Sequence, residues 1–199
     1  MVEAVVVLGG AGVGKSCLCI QYVLQHFSNS YSSTIEDVYT KQVVTDGVTR
    51  SVTVTEVGGK SIYEIVRQAY YAKETAALLV YSVTDKKSFQ AALNIYEEMK
   101  RIKGSQPFTC VLVGNKVDLE AYREVSSEDG RAAAAELGVP FMEVTATSFP
   151  SVNYVFSKVV NPGGGTPPVQ PCQPAGGASA GDPKSTSAVK KRHTMCHVL

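Results

Sequence analysis

The sequence predicts an α/β fold, in which helices cover both faces of a mostly parallel β-sheet. Strand-like and helix-like segments alternate over residues 1–160, an order that is typical of parallel sheets with short crossovers. A glycine-rich loop joins the first of these strands to the first helix. With 199 residues, 44% of them hydrophobic, the chain is long enough for one domain with a packed core.

The first part of this domain begins with a β-rich segment, residues 2–8, that ends in glycines. Residues 15–25 place apolar side chains at helical spacing and predict the first helix. Two strands are predicted at residues 41–44 and 48–56, because the intervening pair Asp46-Gly47 is a strong hairpin signal.

Two continuous apolar runs, residues 76–83 and 109–113, follow later in the chain. Such runs predict strands that are covered on both faces. Between them, residues 88–102 have a helical pattern that we expect to begin near Thr84-Asp85.

The sequence of the last part of the domain predicts two helices and one short strand. Ser126, with Asp129 three residues later, matches a helix-capping pattern and predicts a helix over residues 126–137. Residues 139–144 predict a short strand, the sixth strand of the domain. A short final helix is expected at about residues 151–160 and ends before Pro162.

Composition changes after residue 160, which divides the chain into a globular domain, residues 1–160, and a tail, residues 161–199. The tail stretch PGGGTPPVQPCQPAGGASAGDP contains almost no large apolar residues. Because it cannot bury enough surface to offset the entropy of ordering, we expect a flexible linker.

The charge and the cysteines narrow the class of protein. A net charge of +1 gives no reason to expect nucleic acid as a partner. The five cysteines are odd in number and lack metal-binding spacing, which favours reduced thiols in the cytosol. The apolar start VEAVVVLGG is too short to span a membrane and has no basic residues before it, so we expect a buried strand.

Residues 9–16 read GGAGVGKS and match the phosphate-binding pattern G-x-x-x-x-G-K-[ST] through Gly9, Gly14, Lys15 and Ser16. Glycines let consecutive backbone N–H groups turn toward phosphate oxygens, and the lysine adds a positive charge. The serine hydroxyl is a ligand for Mg²⁺.

Residues 114–118 read GNKVD and follow the predicted strand 109–113. The Asp118 carboxylate can accept two hydrogen bonds from guanine, whereas adenine offers no such pair of donors. A carboxylate left unpaired by the wrong base would be costly. The two motifs together predict that GTP or GDP binds here with Mg²⁺.

With these motifs the chain resembles the Ras family of small GTP-binding proteins over about residues 2–160, and again in its last four residues. HFSNSYSSTIEDVYTKQVVTDG resembles the first switch and effector region of that family, and SVTVTEVGGKSIYEIVRQAYY takes the place of the second switch. The resemblance implies a P-loop NTPase G domain with a six-stranded sheet.

The resemblance also implies roles for individual residues. Residues expected to hold the nucleotide are Gly12, Val13, Gly14, Lys15, Ser16, Cys17, Phe27, Thr34, Gly59, Asn115, Lys116, Asp118, Thr145 and Ala146. Mg²⁺ would be bound by Ser16, Thr34 and Glu56, and hydrolysis would involve Lys15, Thr34, Gly59 and Lys60. Two alternatives stay open, namely Phe27 as a core aromatic and Thr34 as a loop-capping hydroxyl. Effector proteins would bind the segment 31–39, which includes Ile35, Glu36 and Asp37, and an exchange factor and a GTPase-activating protein would act on the switch.

The sequence departs from the family pattern at four positions. The family's D-x-x-G is E-V-G-G here, so Glu56 replaces an aspartate that often reaches Mg²⁺ through water, and we expect weakened metal binding. Lys60 replaces the water-orienting glutamine, and a charged lysine has no acceptor atom. The alternative is that Lys60 points to solvent, which would also leave the usual role unfilled. Ala11 adds a methyl group where the family has glycine, and Thr147 lacks the lysine stem that covers the base.

The chain ends in CHVL, a prenylation pattern that predicts geranylgeranylation of Cys196. One lipid is a marginal anchor, and Lys190, Lys191 and Arg192 add about 1 kcal/mol each near anionic lipid. Palmitoylation of Cys172 is a weaker alternative second signal. We therefore expect a lipid-anchored protein at the cytoplasmic face of a membrane, with the plasma membrane favoured.

We compare three functions against these features. The leading hypothesis is a membrane-tethered small GTPase that switches slowly because of Lys60, Ala11 and Glu56 and responds poorly to an arginine-finger activator. The alternative is a signalling module that binds GTP without hydrolysing it. A P-loop kinase or ATPase lacks support, because NKVD selects guanine and no lid segment is visible.

Overall fold

A computed structural model describes residues 2–27, 34–45, 47–60 and 63–161. Its six strands are β1 (Ala4–Gly9), β2 (Glu36–Thr45), β3 (Val48–Val57), β4 (Ala76–Ser82), β5 (Thr109–Asn115) and β6 (Phe141–Glu143). Its α-helices are α1 (Lys15–Leu24), α2 (Glu64–Lys73), α3 (Lys86–Lys103), α4 (Ser127–Leu137) and α5 (Phe149–Val160). A 3₁₀ helix, Val117–Tyr122, lies between β5 and α4.

The strands form one sheet in the order β2-β3-β1-β4-β5-β6, in which only β2 and β3 pair antiparallel. This confirms the predicted mostly parallel sheet of six strands. Because β1, β3, β4, β5 and β6 run in the same direction, their carboxyl ends lie along one edge of the sheet. Ligands of open α/β sheets bind at that edge.

Alternate residues of the central strands point to opposite faces, and each face is covered by helices. Side chains of α1 and α5 pack with Val5, Val7 and Leu78 on one face. Side chains of α2, α3 and α4 pack with Val6 and Leu79 on the other. All seven residues of β4 are buried, as expected for a strand covered on both faces.

Several predicted helix starts agree closely with the structure. The Asp85 carboxylate caps α3 by accepting from the backbone N–H groups of Lys87 and Ser88, at 2.9 and 3.2 Å. The Ser126 hydroxyl oxygen accepts from the N–H of Asp129 at 3.0 Å, which confirms the predicted cap of α4.

Other boundaries differ from the prediction for physical reasons. β2 begins at Glu36 instead of residue 41, because residues 36–40 complete a ladder with β3 that starts at the pair Glu36–Val57. α5 begins at Phe149 rather than residue 151, since Pro150 is tolerated in the first turn of a helix. β6 is limited to three residues, Phe141–Glu143.

Candidate functional site

The phosphate loop lies between β1 and α1, at the carboxyl edge of the sheet. Lys15 is 5% exposed, and its ammonium donates to the carbonyl oxygens of Gly9 (3.1 Å) and Gly10 (2.8 Å). Burial lowers the pKa of Lys15, and the nearby Glu56 carboxylate opposes that shift. The first turn of α1 includes Ser16 and Cys17, and backbone N–H groups at a helix start have no partner within the helix. Loop and helix thus offer a charge and a set of donors suited to phosphate.

Hydrogen bonds join the phosphate loop to the GNKVD segment. The Asn115 side-chain amide donates to the Val13 carbonyl at 2.8 Å, and the Lys116 ammonium donates to the Gly12 carbonyl at 2.7 Å. Gly14 has φ = 94°, and a Cβ there would collide with the Asn115 amide nitrogen. The loop therefore requires glycine at this contact.

The residues predicted to bind guanine follow the ends of β5 and β6. Asp118 is exposed at the start of the 3₁₀ helix, and Thr145 and Ala146 are 8% and 6% exposed just beyond β6. The Thr147 N–H donates to the Thr145 hydroxyl at 3.2 Å. Phe27 is half-buried and packs against the hydrophobic cluster that contains residues of α1 and α5. Its contact with guanine stays a prediction.

A partly buried ion pair between Arg123 and Glu143 was not predicted from the sequence. The Arg123 guanidinium donates to Glu143 Oε1 at 2.7 Å and to the Val125 carbonyl at 3.0 Å. The Ser127 hydroxyl donates to Glu143 Oε2 at 2.5 Å. Glu143 is the last residue of β6, so this cluster fixes the end of the strand that leads to the guanine loop. Its sequence signal is weak, because Arg123 and Ser127 belong to no motif.

The three predicted metal ligands lie together. The Ser16 hydroxyl donates to Glu56 Oε1 at 2.7 Å, and the hydroxyl oxygens of Ser16 and Thr34 are 3.4 Å apart. Glu56 is 2% exposed, and its Oε2 has no hydrogen-bond partner within the described residues. Burial raises the pKa of Glu56, while the Ser16 hydrogen bond and Lys15 oppose the rise. Two hydroxyls and a carboxylate with an unpaired oxygen fit a hard cation such as Mg²⁺.

Gly58 and Gly59 bring the second switch against the other loops. The Gly58 N–H donates to the Ile35 carbonyl at 2.8 Å. A Cβ at Gly59 would collide with the backbone of Gly10 and Ala11, so only glycine allows this approach. Lys60 is exposed, and its ammonium makes no hydrogen bond or ion pair within the described residues. This arrangement agrees with the alternative in which Lys60 points to solvent.

Arg67 in α2 holds this segment and was also missed in the sequence. It is 8% exposed, and its guanidinium donates to the carbonyl oxygens of Gly58 (3.0 Å) and Lys60 (2.8 Å). A single arginine in the helix EIVRQAYYAK looks like an ordinary solvated charge, so no sequence pattern marked it.

Parts of the predicted site lie outside the described residues. These are residues 31–33 of the effector segment and the tail from residue 162, with Cys172, Lys190, Lys191, Arg192 and Cys196. Among the helices that are described, none has the length and apolar character needed to cross a membrane.

Comparison with known proteins gives a family match over most of the chain. The model of the Ras family matches residues 4–162. The chain is also similar to Ras-like protein 1 of Saccharomyces cerevisiae, with 41% identity over 156 residues. The aligned region covers 78% of this chain and 50% of that protein, so the chain spans about half the length of this relative.

Proposed function

Since this chain belongs to the Ras family, we propose that it is a GTP-binding signalling switch that hydrolyses GTP slowly. The observation that carries the proposal is Lys60, whose exposed ammonium stands in place of the family's glutamine. The contacts from Asn115 and Lys116 to the phosphate loop support nucleotide binding. The proposal therefore separates binding, which the chain keeps, from hydrolysis, which it impairs.

The residues of the site divide the chemistry between them. Lys15 would turn from the loop carbonyls to the β- and γ-phosphates, and the N–H of Gly59 would donate to the γ-phosphate. Ser16, Thr34 and Glu56 would hold Mg²⁺, which neutralises phosphate charge when bound. Asp118, Asn115 and the Ala146 backbone would select guanine.

Slow hydrolysis follows from the hydrogen-bonding capacity of residue 60. The glutamine side chain accepts a hydrogen bond from the attacking water and donates one toward the developing charge. A lysine ammonium has three donors and no acceptor, so it cannot orient the water in that way. Loss of the water-orienting group slows the chemical step without removing any contact that holds the nucleotide.

Single-turnover hydrolysis of bound GTP by the full chain tests this proposal. Lys60→Gln should raise the rate by about 100-fold, the order of magnitude lost when a reacting group is out of position. Lys60→Met is the matched control, because it removes the charge at similar length and supplies no acceptor, and its rate should stay near that of the parent. An equal gain in both variants would assign the slow rate to the lysine charge instead of the missing acceptor.

The same measurement decides between the two candidate functions. Slow but measurable production of GDP supports the switch. Bound GTP that survives unchanged in the parent, in Lys60→Gln and in a variant that also carries Glu56→Asp would favour the non-hydrolysing module. GTP turnover at the rate of an ordinary Ras-family protein would contradict both.

We also propose that Cys196 carries a geranylgeranyl group and that Lys190, Lys191 and Arg192 strengthen binding to anionic lipid. In cell fractionation, Cys196→Ser should move the protein from membranes to the soluble fraction. Cys172→Ser is the matched control and should leave it on membranes. If Cys196→Ser stayed membrane-bound, the anchor would lie elsewhere.

The effector surface would be presented by Ile35 and by Glu36 and Asp37, the first two residues of the edge strand β2. Ile35 is 56% exposed beside two acidic residues, a combination suited to a partner with basic and apolar side chains. An exchange factor would act by opening the contact between Gly58 and Ile35.

A further inference from the structure

Glu56 is one methylene longer than the aspartate of the family pattern, and its backbone has little freedom to compensate. In the sheet, Glu56 pairs with Val7 of β1 on one side and with Asp37 of β2 on the other. Ser16 is equally fixed in the first turn of α1. The additional length must therefore be taken up by the side chain, within the space between Ser16, Thr34 and Lys15.

We propose that Glu56 binds Mg²⁺ directly through Oε2, where the shorter aspartate acts through an intervening water. This inference rests on the proposed nucleotide switch, because Mg²⁺ would arrive with GTP or GDP. It concerns a contact of this chain that the family pattern does not supply.

The two carboxylate oxygens of Glu56 have different surroundings. Oε1 accepts a hydrogen bond from the Ser16 hydroxyl at 2.7 Å. Oε2 is buried and lacks a partner within the described residues. A buried carboxylate oxygen without a donor or cation is costly. A cation bound to Oε2 would satisfy it without disturbing the Ser16 hydrogen bond.

The spacing of the oxygens fits one small octahedral ion. Adjacent ligands at Mg–O distances of about 2.1 Å lie about 3 Å apart. The hydroxyl oxygens of Ser16 and Thr34, 3.4 Å apart, lie near that spacing. A carboxylate oxygen that acts through water lies about 2 Å farther from the ion than one that binds directly. One additional methylene extends the side chain by about 1.3 Å, which covers most of this difference.

The test uses the full chain loaded with Mn²⁺·GDP, because Mn²⁺ gives an electron paramagnetic resonance signal. With glutamate labelled by ¹³C at its side-chain carboxyl, electron–nuclear double resonance measures the distance from Mn²⁺ to the carboxyl carbon. Direct binding places that carbon at about 3 Å, and binding through water places it beyond about 4 Å. Aspartate carries no label, so Asp37 does not contribute. A distance beyond about 4 Å would overturn the inference.

A matched variant gives a second, independent readout. Counting the water ligands of Mn²⁺ by line broadening in ¹⁷O-water should show one more water in Glu56→Asp than in the parent. Equal counts would contradict direct ligation while leaving the nucleotide switch intact. If the parent retained no Mn²⁺·GDP at all, the proposed function and this inference would both fail. The labelled-glutamate measurement needs only the parent, so it decides the matter even if Glu56→Asp is unstable.

Discussion

Two regions of the site differ in whether their side chains depart from the family pattern. The first, residues 12–17 and 114–118, is the region that we propose holds the nucleotide, called the nucleotide-holding region below, and its two segments are joined by side-chain hydrogen bonds from Asn115 and Lys116. The second, which we call the hydrolysis region, comprises Ala11, Glu56 and residues 58–60. Three of its side chains, those of Ala11, Glu56 and Lys60, depart from the family pattern, at both exposed and buried positions. Ala11 and Lys60 are exposed, whereas Glu56 is 2% exposed.

This difference explains how turnover and binding can separate. Substitution of Asn115 would break a buried contact, and a buried group left unpaired costs roughly 1–3 kcal/mol. Substitutions at exposed positions such as 11 and 60 cost little stability. A chain can therefore lose its water-orienting group and still keep its fold and its affinity for nucleotide.

The largest expected effect comes from breaking the nucleotide-holding region at Gly14. In Gly14→Ala the new methyl group would displace the Asn115 amide, and φ = 94° is strained for alanine. We expect GDP affinity to fall on the order of 100-fold, or about 2.7 kcal/mol, measured by competition with a fluorescent nucleotide.

Gly12→Ala is the control for this experiment. Gly12 also has positive φ, 73°, but a Cβ there would meet no atom within 4 Å. The two variants share the backbone strain and differ in the collision with Asn115. Similar losses in both would show that strain, and not the link between the motifs, controls binding.

The next effect concerns the hydrolysis region and its anchor Arg67. Arg67→Ala would leave the carbonyl oxygens of Gly58 and Lys60 without their donor. We expect the free energy of unfolding to fall by about 2 kcal/mol, as for hydrogen bonds to a charged group, in a urea titration. Arg131→Ala, at an exposed position of α4, should change it by less than about 0.5 kcal/mol. A loss below that level for Arg67→Ala would show that the anchor contributes little.

Much of the fold and of the site could be predicted from local sequence. The buried runs of β4 and β5 and the loop GGAGVGKS each carry their information within a few neighbouring residues. Residues 36–40 were missed as part of β2 because Glu36 and Asp37 disfavour strands, and pairing with β3 overrides that preference.

The supporting side chains could not be predicted for a different reason. Arg67 and Arg123 act on groups that the fold brings to them, namely the Gly58 carbonyl and the Glu143 carboxylate. Nothing in the local sequence distinguishes a buried anchoring arginine from a solvated one. Tertiary placement alone gives these residues their roles.

A smaller effect is expected at Thr147, which borders the nucleotide-holding region. Thr147 is exposed, and a lysine there could lay its methylene stem over the base. Covering about 40 Å² of apolar surface contributes about 1 kcal/mol, so Thr147→Lys should slow GDP dissociation about fivefold. Stopped-flow release of a fluorescent GDP measures the rate. Thr147→Ser, which supplies no stem, should dissociate at the parent rate, and a slowing as large as that of lysine would point to another cause.

The smallest effect is expected at Ala11, in the hydrolysis region. Gly59 meets the backbone of residues 10 and 11, and the Ala11 methyl is exposed, so removing that methyl leaves the packing of the loop unchanged. Lys60 still lacks an acceptor in Ala11→Gly, and single-turnover hydrolysis should therefore stay within about twofold of the parent. In the Lys60→Gln background, Ala11→Gly should raise the hydrolysis rate by a larger factor, because the glutamine must then pack beside residue 11. A large increase in the hydrolysis rate from Ala11→Gly alone would assign the slow turnover to crowding by the methyl group. The contrast between the two regions would then depend on space around the γ-phosphate instead of on hydrogen bonding to water.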